Sequence, residues 1–89
     1  MPALRVKTIH DEAYRVLVEC LRTARQEGNL TQTSLAERLG TDQSYVSKYE
    51  RAERRLDVIE VRAVCRALGL DFCEFMAAFE RKLKRRGLP

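Results

Sequence analysis

The chain has 89 residues, 45% of them hydrophobic, and a formal net charge of +4. That suits one globular domain with a modest core and argues against disorder throughout. Three cysteines without a CxxC pair, beside a single histidine, argue against a disulfide framework and against a zinc site, and no apolar run approaches the length of a membrane span.

The charge is uneven. Residues 80–89 hold five basic side chains (Arg81, Lys82, Lys84, Arg85, Arg86) and one acid, Glu80, while the 12 basic and 12 acidic residues elsewhere cancel. A basic end on a neutral body is weak evidence for a nucleic-acid partner when taken alone. The cysteines Cys20, Cys65 and Cys73 fall at or beside apolar positions of predicted helices, as reduced thiols acting as small hydrophobes do.

In chain order, residues 1–10 are expected to form an N-terminal arm. Leu4 and Val6 alternate with charges as an edge strand would, but a lone strand has no partner inside a helical domain; pairing with its twin in a dimer is the alternative. The opening MPALRVKTIHDE is too polar for a secretory signal, so a cytoplasmic location is expected. A first helix starts after His10 or Asp11 with acids in its first turn. Its stripe is Tyr14, Leu17, Leu21 and Ala24, Gly28-Asn29 ends it, and Leu30 tucks under the next helix.

Thr31–Arg51 (TQTSLAERLGTDQSYVSKYER) predicts two short helices joined by a tight turn. Thr31 caps the first, Leu35, Ala36 and Leu39 supply its apolar stripe, and Gly40 ends it in the left-handed conformation that glycine adopts freely. Asp42 caps the second. At ~100° per residue, Gln43, Ser44, Ser47 and Lys48 share one polar arc, while Val46 and Tyr49 point the other way and Tyr45 lies near the boundary. Small Ala36 lets the two helices cross closely. A packed helix supporting a second one that displays donors and acceptors is the arrangement of a helix-turn-helix, which presents that second helix to a DNA major groove. Glutamine can pair with adenine N6/N7, lysine with guanine O6/N7, and serine with either base, which makes Gln43, Ser44, Ser47 and Lys48 the candidate base-reading residues.

A connector, Ala52–Leu56, leads to a fourth helix opened by the capping pair Asp57 and Glu60, with Val58, Val61, Cys65 and Leu68 as its stripe and Gly69 at its end. Asp71 and Glu74 start a fifth, carrying Phe72, Phe75, Met76, Phe79 and Leu83. Phe79 and Leu83 either close the core or leave an apolar patch for a second subunit. The expected architecture is all-α: a single compact domain of about five short helices over residues 11–79, preceded by the arm and followed by a basic tail at 80–89 that either holds phosphates or only solubilises the end.

The segments LRTARQEGNLTQTSLAERLG, TDQSYVSKYER and VRAVCRALGLDFCEFM resemble the XRE family of lambda-repressor-like helix-turn-helix regulators, over roughly Ala13 to Met76. The resemblance implies a lambda-repressor-like fold and a sequence-specific transcriptional regulator that binds double-stranded DNA, most simply a repressor occupying an operator. It also implies that Gln32 donates to a phosphate and braces Gln43, and that Arg25 and Glu50 form an internal ion pair. Thr31 and Gln32, at a helix N-terminus, are candidates for the DNA backbone, as are Arg22, Arg51, Arg54 and Arg55. Tyr45 either lies against the DNA or covers the edge of the core. One departure stands out: where the family has a glycine after the recognition helix and a proline before the fourth, this chain has Ala52 and Leu56. Alanine at φ > 0 is strained by ~1 kcal/mol, so the helix is expected to run on toward Arg54.

Readers of this type bind half-sites ~34–36 Å apart as symmetric dimers, so a homodimer is expected. The alternative function is a protein-interaction module, such as an antitoxin-like partner of another protein. No catalytic constellation, phosphate loop or metal cluster is evident, so neither an enzyme nor a cofactor is expected.

Overall fold

Five oxygen-bearing residues set the helix starts. Asp11, Thr31, Asp42, Asp57 and Asp71 each stand in extended backbone and accept from a backbone N–H of the turn that follows, satisfying a donor the helix itself leaves free. The helices they open are α1 (Glu12–Glu27), α2 (Gln32–Leu39), α3 (Gln43–Glu50), α4 (Val58–Ala67) and α5 (Phe72–Arg85). The computed structural model describes residues 11–89, among which there is no strand; the arm expected at residues 1–10 lies outside the described residues. At α4 the cap is reciprocal: Asp57 Oδ1 accepts from Glu60 N at 2.7 Å and Glu60 Oε1 from Asp57 N at 2.9 Å.

The core gathers one face of each element. Leu17, Val18 and Leu21 of α1 meet Leu35 and Ala36 of α2, Val46 and Tyr49 of α3, and Val61, Val64 and Cys65 of α4. The helix α2 packs on α3 and α4, while α1 packs on α3 and α5, so α3 is wedged between α1 and α2. Phe72, Phe75, Met76 and Phe79 of α5 are half-buried against this core, and Leu83 is buried.

Several expectations need correction. Val58, placed in the stripe of α4, is 61% exposed, as is Ile59 at 69%. The core position is taken by the connector's Leu56 and by Val64, both buried, because the first residue after the cap still lies outside the packed turn. Ala24 is only half-buried, whereas Arg25 beside it is buried. Cys65 is buried and Cys20 half-buried, but Cys73 is exposed. Residue 80 is not a structural boundary either: α5 continues to Arg85, and Arg86 pairs with Glu19 of α1 at 3.3 Å.

The end of α3 also differs from expectation. The helix stops at Glu50 with Arg51 as its cap, and Ala52 adopts φ +59° in the left-handed region despite its Cβ. Two backbone bonds hold it there, Ala52 N to Tyr49 O at 2.9 Å and Glu53 N to Lys48 O at 2.8 Å. The Ala52 side chain is buried, and the same turn brings Leu56 into the core. Tertiary packing outweighs a local strain of roughly 1–2 kcal/mol.

Candidate nucleic-acid interface

The turn between α2 and α3 is short because Gly40, at φ +71°, reverses the chain at once, and Thr41 N closes it onto Ala36 O at 2.9 Å. Asp42 then starts α3, accepting from Tyr45 N at 3.1 Å and from the Ser44 hydroxyl at 2.7 Å. The Ser44 bond, followed by that from Tyr45 N, holds the Asp42 carboxyl below the usual carboxylate range, keeping a negative charge at the positive end of the α3 dipole.

Gln43, Ser44 and Lys48 are exposed and Ser47 is half-exposed, whereas Val46 and Tyr49 are fully buried. The structure thus brings the four sequence-selected residues onto one open edge. Gln43 does not hang freely. Its Nε2 donates to Gln32 Oε1 at 2.7 Å, and Gln32 Nε2 donates to Glu50 Oε1 at 2.9 Å. Glu50 in turn accepts from Arg25 Nε at 2.7 Å and Arg25 Nη2 at 3.0 Å, in a two-pronged pair whose side chains are 10% and 1% exposed. Arg25 Nη1 reaches the Leu30 carbonyl at 2.7 Å, and its guanidinium is held charged chiefly by the bonds it donates to Glu50. A polar chain therefore runs from the buried ion pair to the outermost residue of α3, with one Gln32 amide hydrogen left over.

The remaining candidates differ in how committed they are. Thr31 is occupied as the α2 cap: its hydroxyl accepts from Ser34 N at 3.0 Å and donates to Ser34 Oγ at 2.9 Å. Arg22 is exposed on α1. Arg51 pairs with Glu53 at 3.1 Å, both well exposed. Arg55 lies 5.1 Å over the Tyr14 ring, and Arg54 lies 4.7 Å over the Tyr45 ring, as cations over aromatic faces do. Tyr45 itself is half-buried, edge-on to Tyr49 with ring centroids 5.9 Å apart, and its hydroxyl donates to Glu60 Oε2 at 2.6 Å. Burial, then that bond, pushes the Tyr45 phenol up to about 12.

Sequence reasoning missed two residues of this region. Tyr14, placed in a generic apolar stripe, is buried, donates to the Arg54 carbonyl at 2.6 Å and accepts from Leu56 N at 3.0 Å, so α1 fixes the connector that displays Arg54 and Arg55. Glu60, taken only as the partner of Asp57, also joins Tyr45 and Arg54. Contacts across 40 residues leave no local trace, whereas the Asp57–Glu60 spacing did mark one end of the second.

A supporting helix crossed by a second one, braced from within and left open along its polar edge, defines a helix-turn-helix protein. The helix-turn-helix family model HTH_3 matches residues 21–75. An XRE-family-like protein from Pseudomonas syringae pv. tomato str. DC3000 is 46% identical, with 83% of this chain and 90% of that one aligned at a TM-score of 0.77. The chain belongs to the XRE-like helix-turn-helix family of DNA-binding transcription regulators, which are not enzymes. The fold is shared more widely. The wild-type restriction-modification controller protein C.Esp1396I superposes at a TM-score of 0.78 with 20% identity over 83% of this chain and 97% of that one. The clp gene regulator ClgR from Corynebacterium glutamicum gives 0.75 with 22% identity over 86% and 82%. No curated protein matches the chain in sequence.

Proposed function

We propose that this chain is a sequence-specific regulator, acting as a repressor by occupying an operator, with α3 in the major groove. The observation that carries the reading is the braced edge: Gln43, Ser44, Ser47 and Lys48 share it, and Gln43 is tied through Gln32 to a buried ion pair. Such bracing fixes the geometry on which bidentate base contacts depend. Gln32, Thr31 and the N-terminus of α2 meet one phosphate strand. Arg22, Arg51, Arg54 and Arg55 hold flanking phosphates, with Tyr45 as the platform under Arg54. Two fold relatives support the class of function: C.Esp1396I has been solved as a tetramer in complex with its natural 35 base-pair operator, and ClgR is a gene regulator.

A homodimer on a two-fold operator completes the proposal, with the half-buried apolar residues of α5 as a candidate contact between copies. No helix among the described residues is long and apolar enough to cross a membrane. Selection of bound duplexes from a random pool at stated salt tests the reading. The expected product is a two-fold site with half-sites ~34–36 Å apart. Gln43→Ala and Lys48→Ala should each relax preference at one position per half-site, by ~1–3 kcal/mol. Equal retention of random and selected duplexes would remove the regulator reading, and a strict monomer in sedimentation with and without DNA would remove the dimer.

A further inference from the structure

Glu60 sits where three elements meet. Its carboxylate accepts from Asp57 N in the α4 cap at 2.9 Å, from the Tyr45 hydroxyl of α3 at 2.6 Å and from Arg54 of the connector at 3.2 Å. The Arg54 guanidinium is at the same time 4.7 Å over the Tyr45 ring. The cation is thus held on two sides, by a carboxylate and by an aromatic face. Tyr45 follows directly on Ser44 of the open edge, so this held cation lies beside the surface assigned to DNA. The pair is not deeply buried: Arg54 is 47% and Glu60 27% exposed, so a phosphate oxygen can approach the guanidinium from solvent.

We propose that Glu60 is a positioning residue that restrains Arg54, so that a DNA phosphate must draw the guanidinium off this carboxylate to bind it. The inference rests on the DNA reading above and adds a competitor to it. Arg54 offers planar donors that suit a carboxylate or a phosphate equally well. Phosphate contacts position a protein on DNA but carry no sequence information. The restraint therefore lowers affinity for every duplex by one common factor and leaves the ranking of sites to α3.

Glu60→Gln removes the charge and keeps the scaffold. The glutamine carbonyl still accepts from Asp57 N, and its amide can donate to the Tyr45 oxygen, so Arg54 loses its charged partner and keeps only the Tyr45 ring. Binding of the full chain to a selected 30-mer and to a random-sequence duplex of about that length is measured across a salt series. The expected result is a roughly two- to five-fold gain on both duplexes, the factor by which an exposed ion pair holds a cation back, with their ratio unchanged. In an Arg54→Ala background the gain disappears, and Arg54→Ala alone lowers the salt slope by ~0.9, one phosphate contact. No gain, or a gain that persists without Arg54, overturns the inference; so does a changed ratio, which would mean that the Glu60 charge acts through Tyr45 on α3 and not through Arg54. If the wild-type chain binds neither duplex, the DNA reading itself fails, a different outcome from wild-type binding that Glu60→Gln leaves untouched.

Discussion

Glu50→Ala is the sharpest test of how α3 is held. The Glu50 carboxylate accepts two bonds from Arg25 and one from Gln32, and its side chain is 1% exposed. Removing it strands the Arg25 guanidinium in the interior with only the Leu30 carbonyl as partner. Breaking a buried pair from one side costs about 3–5 kcal/mol, because the remaining charge stays desolvated and uncompensated. A domain of this length has roughly 4–13 kcal/mol in total. The loss is therefore a large fraction of the whole and moves the urea midpoint by about 1.5 M or more, at a slope of about 1–2 kcal/mol per M. Circular dichroism during urea titration reads it directly. A cost below about 1 kcal/mol would refute the account, since it would mean that Arg25 finds water or another partner.

The double replacement Arg25→Met, Glu50→Leu separates stability from positioning. With both charges gone there is nothing to strand, and well-packed apolar substitutes for buried pairs are often neutral or stabilising. The double variant should recover most of the loss. It should still discriminate less well between selected and random duplexes, because Gln32 has lost the acceptor that aims it at Gln43. A double variant that is both stable and fully discriminating would show that the polar chain serves folding alone.

Three further outcomes follow from the geometry. The Tyr49 hydroxyl is buried without a hydrogen-bond partner among the described residues, so Tyr49→Phe should hold or raise stability by about 1 kcal/mol in urea unfolding, not lower it. Ala52, buried at φ +59°, tolerates no branching at Cβ, so Ala52→Val should lose about 2 kcal/mol or more, whereas Ala52→Gly should stay near neutral as relief of strain offsets the lost methyl. In alkali, Tyr45 is pushed up to about 12 chiefly by burial, and burial raises Tyr14 and Tyr49 as well. A raised folded value stabilises the protein fully below the unfolded value of about 10 and loses that contribution as pH climbs through the folded one. Phenolate absorbance should therefore appear together with loss of helix, between about pH 10 and 12; phenolate forming near 10 in a still-helical chain would contradict the burial argument.

What the sequence made legible was local. Asp11, Thr31, Asp42, Asp57 and Asp71 all cap helices because a cap needs only a short oxygen-bearing side chain and the next turn. The open edge of α3 was equally legible, since the helical period alone separates Gln43, Ser44, Ser47 and Lys48 from Val46 and Tyr49. The bond from Gln43 to Gln32 and the Arg25–Glu50 pair were reached through family resemblance, and the structure contains both. What stayed hidden was long-range or in conflict with local preference. Tyr14 reaching the connector and Glu60 reaching Tyr45 depend on how the elements cross, and Ala52 at positive φ is a case in which packing overrides propensity.

The helix α3 has eight residues, far fewer than an isolated helix needs to persist in water. Its order must come from outside, and its anchors are spread along its length. Val46 and Tyr49 are sunk in the core, Glu50 is pinned by Arg25 at one end, and Tyr45 is tied to Glu60 near the other. These attachments use the side chains on the inner arc and leave the outer arc open to solvent, where Gln43 is braced by Gln32. A surface that must match a rigid partner at hydrogen-bond precision gains from being fixed before the encounter, because ordering it afterwards would subtract from affinity. If the outer arc reads DNA as proposed, the core residues behind α3 serve that reading as much as those in front of it. Substitutions at Glu50 and Tyr45 should weaken discrimination between duplexes although neither side chain lies on the outer arc.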